Sequence, residues 1–306
     1  MVTKKYINGL RKVTRGDVLT DQPMSKYTSI KVGGSADVVV FPEDLKDLIH
    51  IIRYLKSESL SFFVLGNGTN LLVRDGGVED VVINLSHGFT RMELLSREGF
   101  EAVFAEAGVS LVRLLRFAMD YNLSGLEFAA GIPGTVGGGL FMNAGGRLGE
   151  MKDVTLSVTL LNSGGEIVTK KREDLEFSYR KLQLASGSII LNAILMLKDN
   201  EKLHINERIQ DVLSERKKKQ PLDSPNAGSI FKNPEGIPAG QLIDQTGLKG
   251  FQVGDASVSE LHANFIINLG NATGRDVENL IKEVQERVYK RTGLMLEPEI
   301  TIIGRN

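Results

Sequence analysis

The stretch GLEFAAGIPGTVGGGLFMNAGG, from Gly125 to Gly146, constrains this chain more than any other. Glycine stands at 125, 131, 134, 137, 138, 139, 145 and 146, and only Glu127, Thr135, Met142 and Asn143 interrupt a small or apolar run. Glycine permits positive φ and close backbone approach, at an entropic cost. So many in one place expose backbone amides, and concave rings of amides bind phosphate without cations. A large anion is implied, and a dinucleotide pyrophosphate fits it. A mobile loop is the bland alternative, but Ile132, Pro133 and Val136 are rigid and apolar for a linker.

The rest of the composition narrows the function classes. A chain of 306 residues has room for about two domains. Its net charge of −1 gives no electrostatic reason to expect nucleic acid or an anionic membrane as partner. Without cysteine there are no disulfides, no thiolate catalysis, no Cys-ligated zinc and no Cys-linked cofactor. That fits a reducing compartment. The opening MVTKKYINGLRKVTRGD lacks the apolar core of a signal peptide, and no apolar run reaches membrane-spanning length. A soluble cytoplasmic protein without membrane insertion is expected. His50, His87, His204 and His262 form no metal spacing. There is no nucleophile elbow, and no Walker lysine follows a glycine loop.

Hydrophobic periodicity places the elements. A short amphipathic helix with Tyr6, Leu10 and Val13 is expected within residues 1–20, then a strand from Ala36 to Phe41. Pro42 is expected to open a helix carrying Leu45, Leu48, Ile49, Ile52 and Leu55, followed by a buried strand Phe62–Leu65. Gly66-Asn67-Gly68 could pass for a Rossmann fingerprint. The third glycine is absent, Leu71 stands in its place, and Leu71-Leu72-Val73 does not open a helix. A strand–turn–strand offering the amides of Gly66 to Asn70 fits better. Glu101–Ala107 reads as a strand, and Ser110 as the cap of a helix with Leu111, Leu114, Leu115 and Ala118. Val154–Leu161 and Glu166–Thr169 read as a hairpin, and Ser188–Leu197 as a strand. Many strands with few helices give an α+β pattern.

A composition shift at 198–202 suggests a boundary. Ile205, Ile209, Val212 and Leu213 mark a helix that ends in Arg216-Lys-Lys-Lys219, where cations suit a helix C-terminus. Thr273 starts a second helix, closed by Gly293, and Leu296–Ile303 reads as a final strand. A small βαβ-type domain is expected between about 200 and 295. Three isolated polar residues stand in apolar settings: Arg180, Ser229 and Glu299. Taken singly, each has an ordinary explanation: a strand charge, a turn hydroxyl, half of a salt bridge.

In combination the residues are more specific. GNGTNLLVRDGG, GLEFAAGIPGTVGGGLFMNAGG, FSYR, NAGSIFKNP and LEPEI, in this order, resemble the UDP-N-acetylenolpyruvoylglucosamine reductases over roughly residues 20–304. The resemblance implies a two-subdomain FAD-binding fold of the vanillyl-alcohol-oxidase type plus a smaller C-terminal α/β substrate domain. The expected division is 1–84 with a returning strand at 296–306, then 85–198, then 199–295. It implies non-covalent FAD, held by Gly66, Asn67, Gly68, Thr69 and Asn70 and by Gly131, Pro133, Gly134, Gly137, Gly138 and Asn143. By motif match, Ser229 would be the proton donor, with Arg180 and Glu299 as its catalytic partners. Lys219, Asn233, Lys249 and His262 fall where that family contacts substrate. Between FSYR and NAGS, residues 181–227 contain no tyrosine, so the chain resembles the shorter branch of the family, which lacks a tyrosine clamp on the diphosphate. Lys219 and the positive helix end are the expected substitute.

The activity implied is NADPH-dependent reduction of an enolpyruvyl group on a UDP-sugar, for bacterial peptidoglycan precursors. Nicotinamide and substrate would use one site in turn, giving ping-pong kinetics. Hydride addition to the enol ether drives charge onto its carboxylate. Arg180 offers a bidentate fork for that charge, and Glu299, if kept protonated by an apolar site, can donate to it. A different FAD-dependent sugar or alcohol oxidoreductase of the same fold would explain the glycines but not LEPEI or NAGSIFKNP. A nucleotide-binding module without chemistry would leave Arg180, Ser229 and Glu299 unexplained.

Overall fold

The computed structural model describes residues 3–97 and 100–306. Helix α1 (Lys4–Val13) leads into strand β1 (Asp17–Pro23), so the helix expected within 1–20 is confined to its middle, and residues 1–2 lie outside the described residues. Strand β2 (Ser35–Phe41) precedes α2 (Leu45–Ser57), which is capped by Asp44, whose side chain accepts from the Asp47 amide. That is the N-cap geometry of short polar residues. Strands β3 (Phe62–Leu65), β4 (Leu71–Val73) and β5 (Val78–Asn84) follow. The first sheet has the order β1-β2-β5-β3, with β5 parallel to both β2 and β3. The apolar face of α2 (Leu48, Ile51, Ile52 and Leu55) is buried, as a helical stripe with this spacing requires.

The second layer begins with β6 (Met92–Arg97) and β7 (Phe100–Glu106). Strand β6 has no counterpart in the sequence reading. Ser110 caps α3 (Leu111–Asp120) as expected, its hydroxyl accepting from the Arg113 amide. After β8 (Leu123–Ser124), the glycine-rich stretch is not one continuous loop. Residues 136–141 wind into the short helix α4 (Val136–Phe141), and β9 (Gly145–Gly146) pairs with β10 (Gly149–Glu150). Helix α5 (Met151–Val154) precedes the hairpin of β11 (Thr155–Leu161) and β12 (Ile167–Lys171). A two-residue turn joins β13 (Phe177–Ser178) to β14 (Lys181–Leu182), and β15 (Ile189–Asp199) runs through the middle of the sheet. The order is β12-β11-β15-β7-β6, antiparallel throughout.

Helix α6 (Lys202–Lys219) buries Ile205 and Ile209 against the core of the preceding layers. The remaining elements are β16 (Asn226–Ser229), α7 (Ala239–Gln245), β17 (Gln252–Val253), β18 (Ala256–Val258), β19 (Phe265–Asn268), α8 (Gly274–Thr292) and β20 (Thr301–Ile303). Their sheet, β16-β19-β18-β17, is antiparallel. The βαβ arrangement expected here is corrected: the tight β17–β18 hairpin leaves no room for a crossover helix, which parallel neighbours need. Thr273 caps α8 with a reciprocal Asp276 bond, and Gly293 closes it at φ 74°.

The C-terminal strand was expected over Leu296–Ile303, but only Thr301–Ile303 forms one, parallel to β4. Pro298, which has no N–H to give a ladder, sits in an isolated bridge with Phe231. The third core, that of the C-terminal unit around α7 and α8, takes Ile30, Val32 and Leu72 from the N-terminal part of the chain. At that junction the Asp75 carboxylate accepts the first two amides of α8, Gly274 (2.7 Å) and Arg275 (2.9 Å), and Arg74 pairs with Glu278 at 3.0 Å.

Candidate active site

A cavity of about 1170 Å³ opens where the three units meet. Its floor is made by the two glycine segments. Gly66 packs so closely on Thr135 that a Cβ there would come within 2.6 Å of the hydroxyl, and one on Gly137 would come within 2.9 Å of the Ala107 Cβ. Thr69 Oγ1 donates to Pro133 O across the same contact at 3.2 Å. Gly134, at φ 136°, has backbone freedom that only glycine offers readily. Of the residues expected to hold the cofactor, Gly66, Asn67, Gly68, Thr69, Asn70, Gly131, Pro133, Gly134, Gly137 and Gly138 all line the cavity. Apolar wall residues stand beside them: Leu65, Leu85, Leu111 and Ile190. Ligand pockets commonly span roughly 300–1,000 Å³, so this cavity has room for a dinucleotide and a second ligand. A glycine cradle next to an apolar slot fits FAD: the backbone amides would suit its pyrophosphate and the apolar wall its ring system.

Asn143 departs from that set. It is fully buried and does not line the cavity. Its Nδ2 donates to Ser178 O at 3.1 Å and its Oδ1 accepts from the Lys152 amide at 3.0 Å. It therefore brackets the end of α4 to the β13–β14 turn instead of facing a ligand.

That turn carries Arg180, in left-handed backbone at φ 56°. The Arg180 Nε lies 3.0 Å from Glu299 Oε1, and the two side chains are only 24% and 12% exposed. Burial pushes the Glu299 carboxyl above the usual glutamate range, while the Arg180 guanidinium pulls it back without cancelling the effect. The Glu299 backbone is fixed at both ends. Its N–H donates to Ile230 O (2.7 Å), and Asn70 Nδ2 donates to its carbonyl (3.1 Å). The side chain of Asn70 thus joins the first glycine turn to the glutamate.

Ser229 closes β16 opposite Phe265. Asn226 Oδ1 accepts the Gly228 amide, and Asn264 pins Phe231 through both ends of its side-chain amide. The serine is held on a rigid ledge facing the cavity, and Arg180, Ser229 and Glu299 line it together.

The expected substrate residues divide. Lys219 and His262 line the cavity. Lys219 is exposed and pairs with Glu215 at 2.8 Å, which also faces Arg147 at 3.5 Å. His262 accepts the Asn264 amide on Nδ1 at 3.2 Å, leaving Nε2 as its donor, and burial lowers its basicity. Asn233 and Lys249 do not line the cavity. Asn233 Oδ1 accepts the Ala239 amide at the start of α7, and Lys249 pairs with Asp244 at 2.9 Å. Arg216 belongs to the positive helix end expected, with Lys219, to meet the diphosphate. It is a half-buried cavity residue, its guanidinium disfavoured first by burial and then by neighbouring Arg180. The Arg-Lys-Lys-Lys run marks a cationic helix end but cannot tell which of the four faces inward. Among the described residues no cluster of His, Asp and Glu could hold a metal, and no helix is long and apolar enough to cross a membrane.

Comparison with known proteins agrees with this architecture. The model of an FAD binding domain matches residues 36–170, and that of the UDP-N-acetylenolpyruvoylglucosamine reductase C-terminal domain matches residues 220–303. The UDP-N-acetylenolpyruvoylglucosamine reductase of Syntrophus aciditrophicus is 46% identical over 97% of this chain and 95% of its own length. That of Alkaliphilus oremlandii is 44% identical over 98% of both. The crystal structure of the Thermus caldophilus enzyme superposes with a TM-score of 0.80 at 39% identity, over 94% of this chain and 98% of the other. With an FAD-binding front half, a matching C-terminal unit and this degree of identity over nearly its whole length, the chain belongs to the UDP-N-acetylenolpyruvoylglucosamine reductase family.

Proposed function

We propose that this protein uses FAD to reduce the enolpyruvyl group of UDP-N-acetylenolpyruvoylglucosamine to UDP-N-acetylmuramate, with NADPH as reductant, in the cytoplasm. The observation that carries the reading is the meeting of Arg180, Glu299 and Ser229 on one wall of a cavity floored by the two glycine segments. Held by the glycine segments around Gly66–Asn70 and Gly131–Gly138, FAD would supply hydride transfer between NADPH and the enol ether. Everything else falls to the chain's own residues. Arg180 presents a fork to the substrate carboxylate, where charge builds up as hydride arrives. Preorganised donors of this kind typically contribute about 10²–10³ in rate. Glu299, its carboxyl biased toward the protonated form by burial, donates to the same oxygens. Ser229 gives the proton to the internal carbon. A neutral serine is a weak acid, and the nearby cations Arg180 and Arg216 lower the cost of the alkoxide it leaves.

The division of labour follows the fold. Residues 1–84 with 296–306, and 85–198, hold the cofactor; residues 199–295 hold the substrate, with α6 lying back over the second unit. The chain belongs to the shorter branch without a tyrosine clamp, and the α6 end around Arg216 and Lys219 meets the diphosphate. Stopped-flow kinetics of Ser229→Ala test the central assignment. Flavin reduction by NADPH should stay within a few-fold of wild type, while reoxidation by the enolpyruvyl substrate slows by at least about 10². Equal slowing of both half-reactions would remove the acid role.

A further inference from the structure

Two long cations line the cavity from left-handed backbone: Arg180 at φ 56° and Lys31 at φ 57°. A non-glycine residue there is strained, and such strain persists where the surroundings over-determine it, typically at working sites. Arg180 is matched by Glu299. Lys31 is exposed at the cavity, and among the described residues no carboxylate lies within ion-pair distance of it.

The turn around Lys31 is fixed from every side. Its N–H donates to Thr28 O (3.2 Å), and Thr28 Oγ1 donates to Val32 O (2.9 Å). Ser29 N donates to Gly68 O in the first glycine turn (3.1 Å), and Ser29 Oγ donates to Asn226 O at the base of the Ser229 strand (2.6 Å). Asn268 Nδ2 donates to Ile30 O (3.1 Å), while Ile30 and Val32 are sunk in the third core. With both neighbours buried, the Lys31 side chain is delivered to the cavity. The loop that carries it is tied through Ser29 to both the glycine turn and the base of the Ser229 strand.

The cavity lining as a whole is electropositive. Lys31, Arg147, Arg180, Arg216 and Lys219 face Glu215, Asp223 and Glu299, five cations against three carboxylates. Arg147 and Lys219 share Glu215, and Arg180 holds Glu299. Among the described residues, Lys31 and Arg216 have no ion pair of their own. We propose that Lys31 is an anion-binding residue of this cavity that meets the diphosphate of a bound nucleotide. The inference rests on the functional reading above. The diphosphate is either the cofactor's or the UDP-sugar's, since both chemistries converge on this junction.

The test uses holoenzyme carrying Lys31→Met or Lys31→Gly. Glycine relieves the positive φ, so Lys31→Gly should melt at or above the wild-type temperature and any loss of affinity is not unfolding. FAD dissociation is read from flavin fluorescence on dilution, and UDP binding to oxidised enzyme from calorimetry. Losing one charge-assisted hydrogen bond should weaken one of these by about tenfold or more in both variants. A change in FAD retention assigns the cofactor's diphosphate; a change in UDP affinity with FAD retention intact assigns the substrate's. Both affinities within twofold of wild type in both variants would overturn the inference and leave the functional reading standing. Wild-type protein that takes up neither FAD nor UDP would overturn both.

Discussion

At the scale of single residues, Glu299 combines a buried carboxyl with a guanidinium 3.0 Å away. Burial is the larger influence, so its folded-state pKa lies above that of an unfolded glutamate, about 4.3. The native state therefore holds an extra proton between those two values, and stability contributed by this group falls as pH rises through that window. Glu299→Gln should abolish that slope, measured by urea unfolding at a series of pH values. It should also remove the alkaline limb that Glu299 ionisation imposes on flavin reoxidation by substrate. An unchanged stability slope and pH–rate profile would count against a protonated Glu299. Asn143 shows why residue roles are hard to read from a string. An amide set among glycines has the same letter code whether it faces a ligand or brackets two turns. Its burial and its partners Ser178 and Lys152, distant in sequence or set by backbone path, appear only in three dimensions.

At the scale of elements, local signals were sufficient wherever the stabilising partner lies within a few residues. Ser110 and Thr273 cap their helices and Gly293 closes α8, because those bonds span three or four positions. Asp75 also caps α8, but across 199 residues, and no local pattern announces it. Its carboxylate joins two amide bonds to the favourable end of a helix dipole. Asp75→Ala should destabilise the fold by about 1–2 kcal/mol, measured by urea denaturation. Asp75→Asn, which keeps one acceptor, should lose less. Strand β6 and the shortness of β20 escaped the sequence reading for different reasons. The first is a half-polar edge strand, paired among the described residues with β7. The second was hidden because LEPEI looks extended but contains a proline that cannot enter a ladder.

For the whole molecule, the cavity is a joint product of three packed units, and cofactor binding is linked to the folding of all of them. A ligand that binds only the native state stabilises it by mass action, about 2.7 kcal/mol at a hundred times its dissociation constant. Stripping FAD should therefore lower the melting temperature, and added FAD should restore it in a concentration-dependent way, followed by circular dichroism. Non-covalent FAD, which the family resemblance implies and the lack of cysteine suits, should be released entirely into the supernatant by acid precipitation. A pellet that stays yellow would contradict non-covalent binding.

The sequence alone determined the helices with local caps, the strand-rich character of the first 200 residues, the absence of thiol chemistry and the glycine segments that require close backbone approach. These follow from short-range sterics and from side-chain types, which a linear chain carries openly. Only the tertiary structure decided that Arg180 meets Glu299 across 119 positions, that Arg216 faces inward while Lys249 pairs outside, and that Lys31 reaches the same cavity from strained backbone. Such outcomes depend on which distant surfaces pack together. Burial and the fields acting on a charge are properties of the packed molecule.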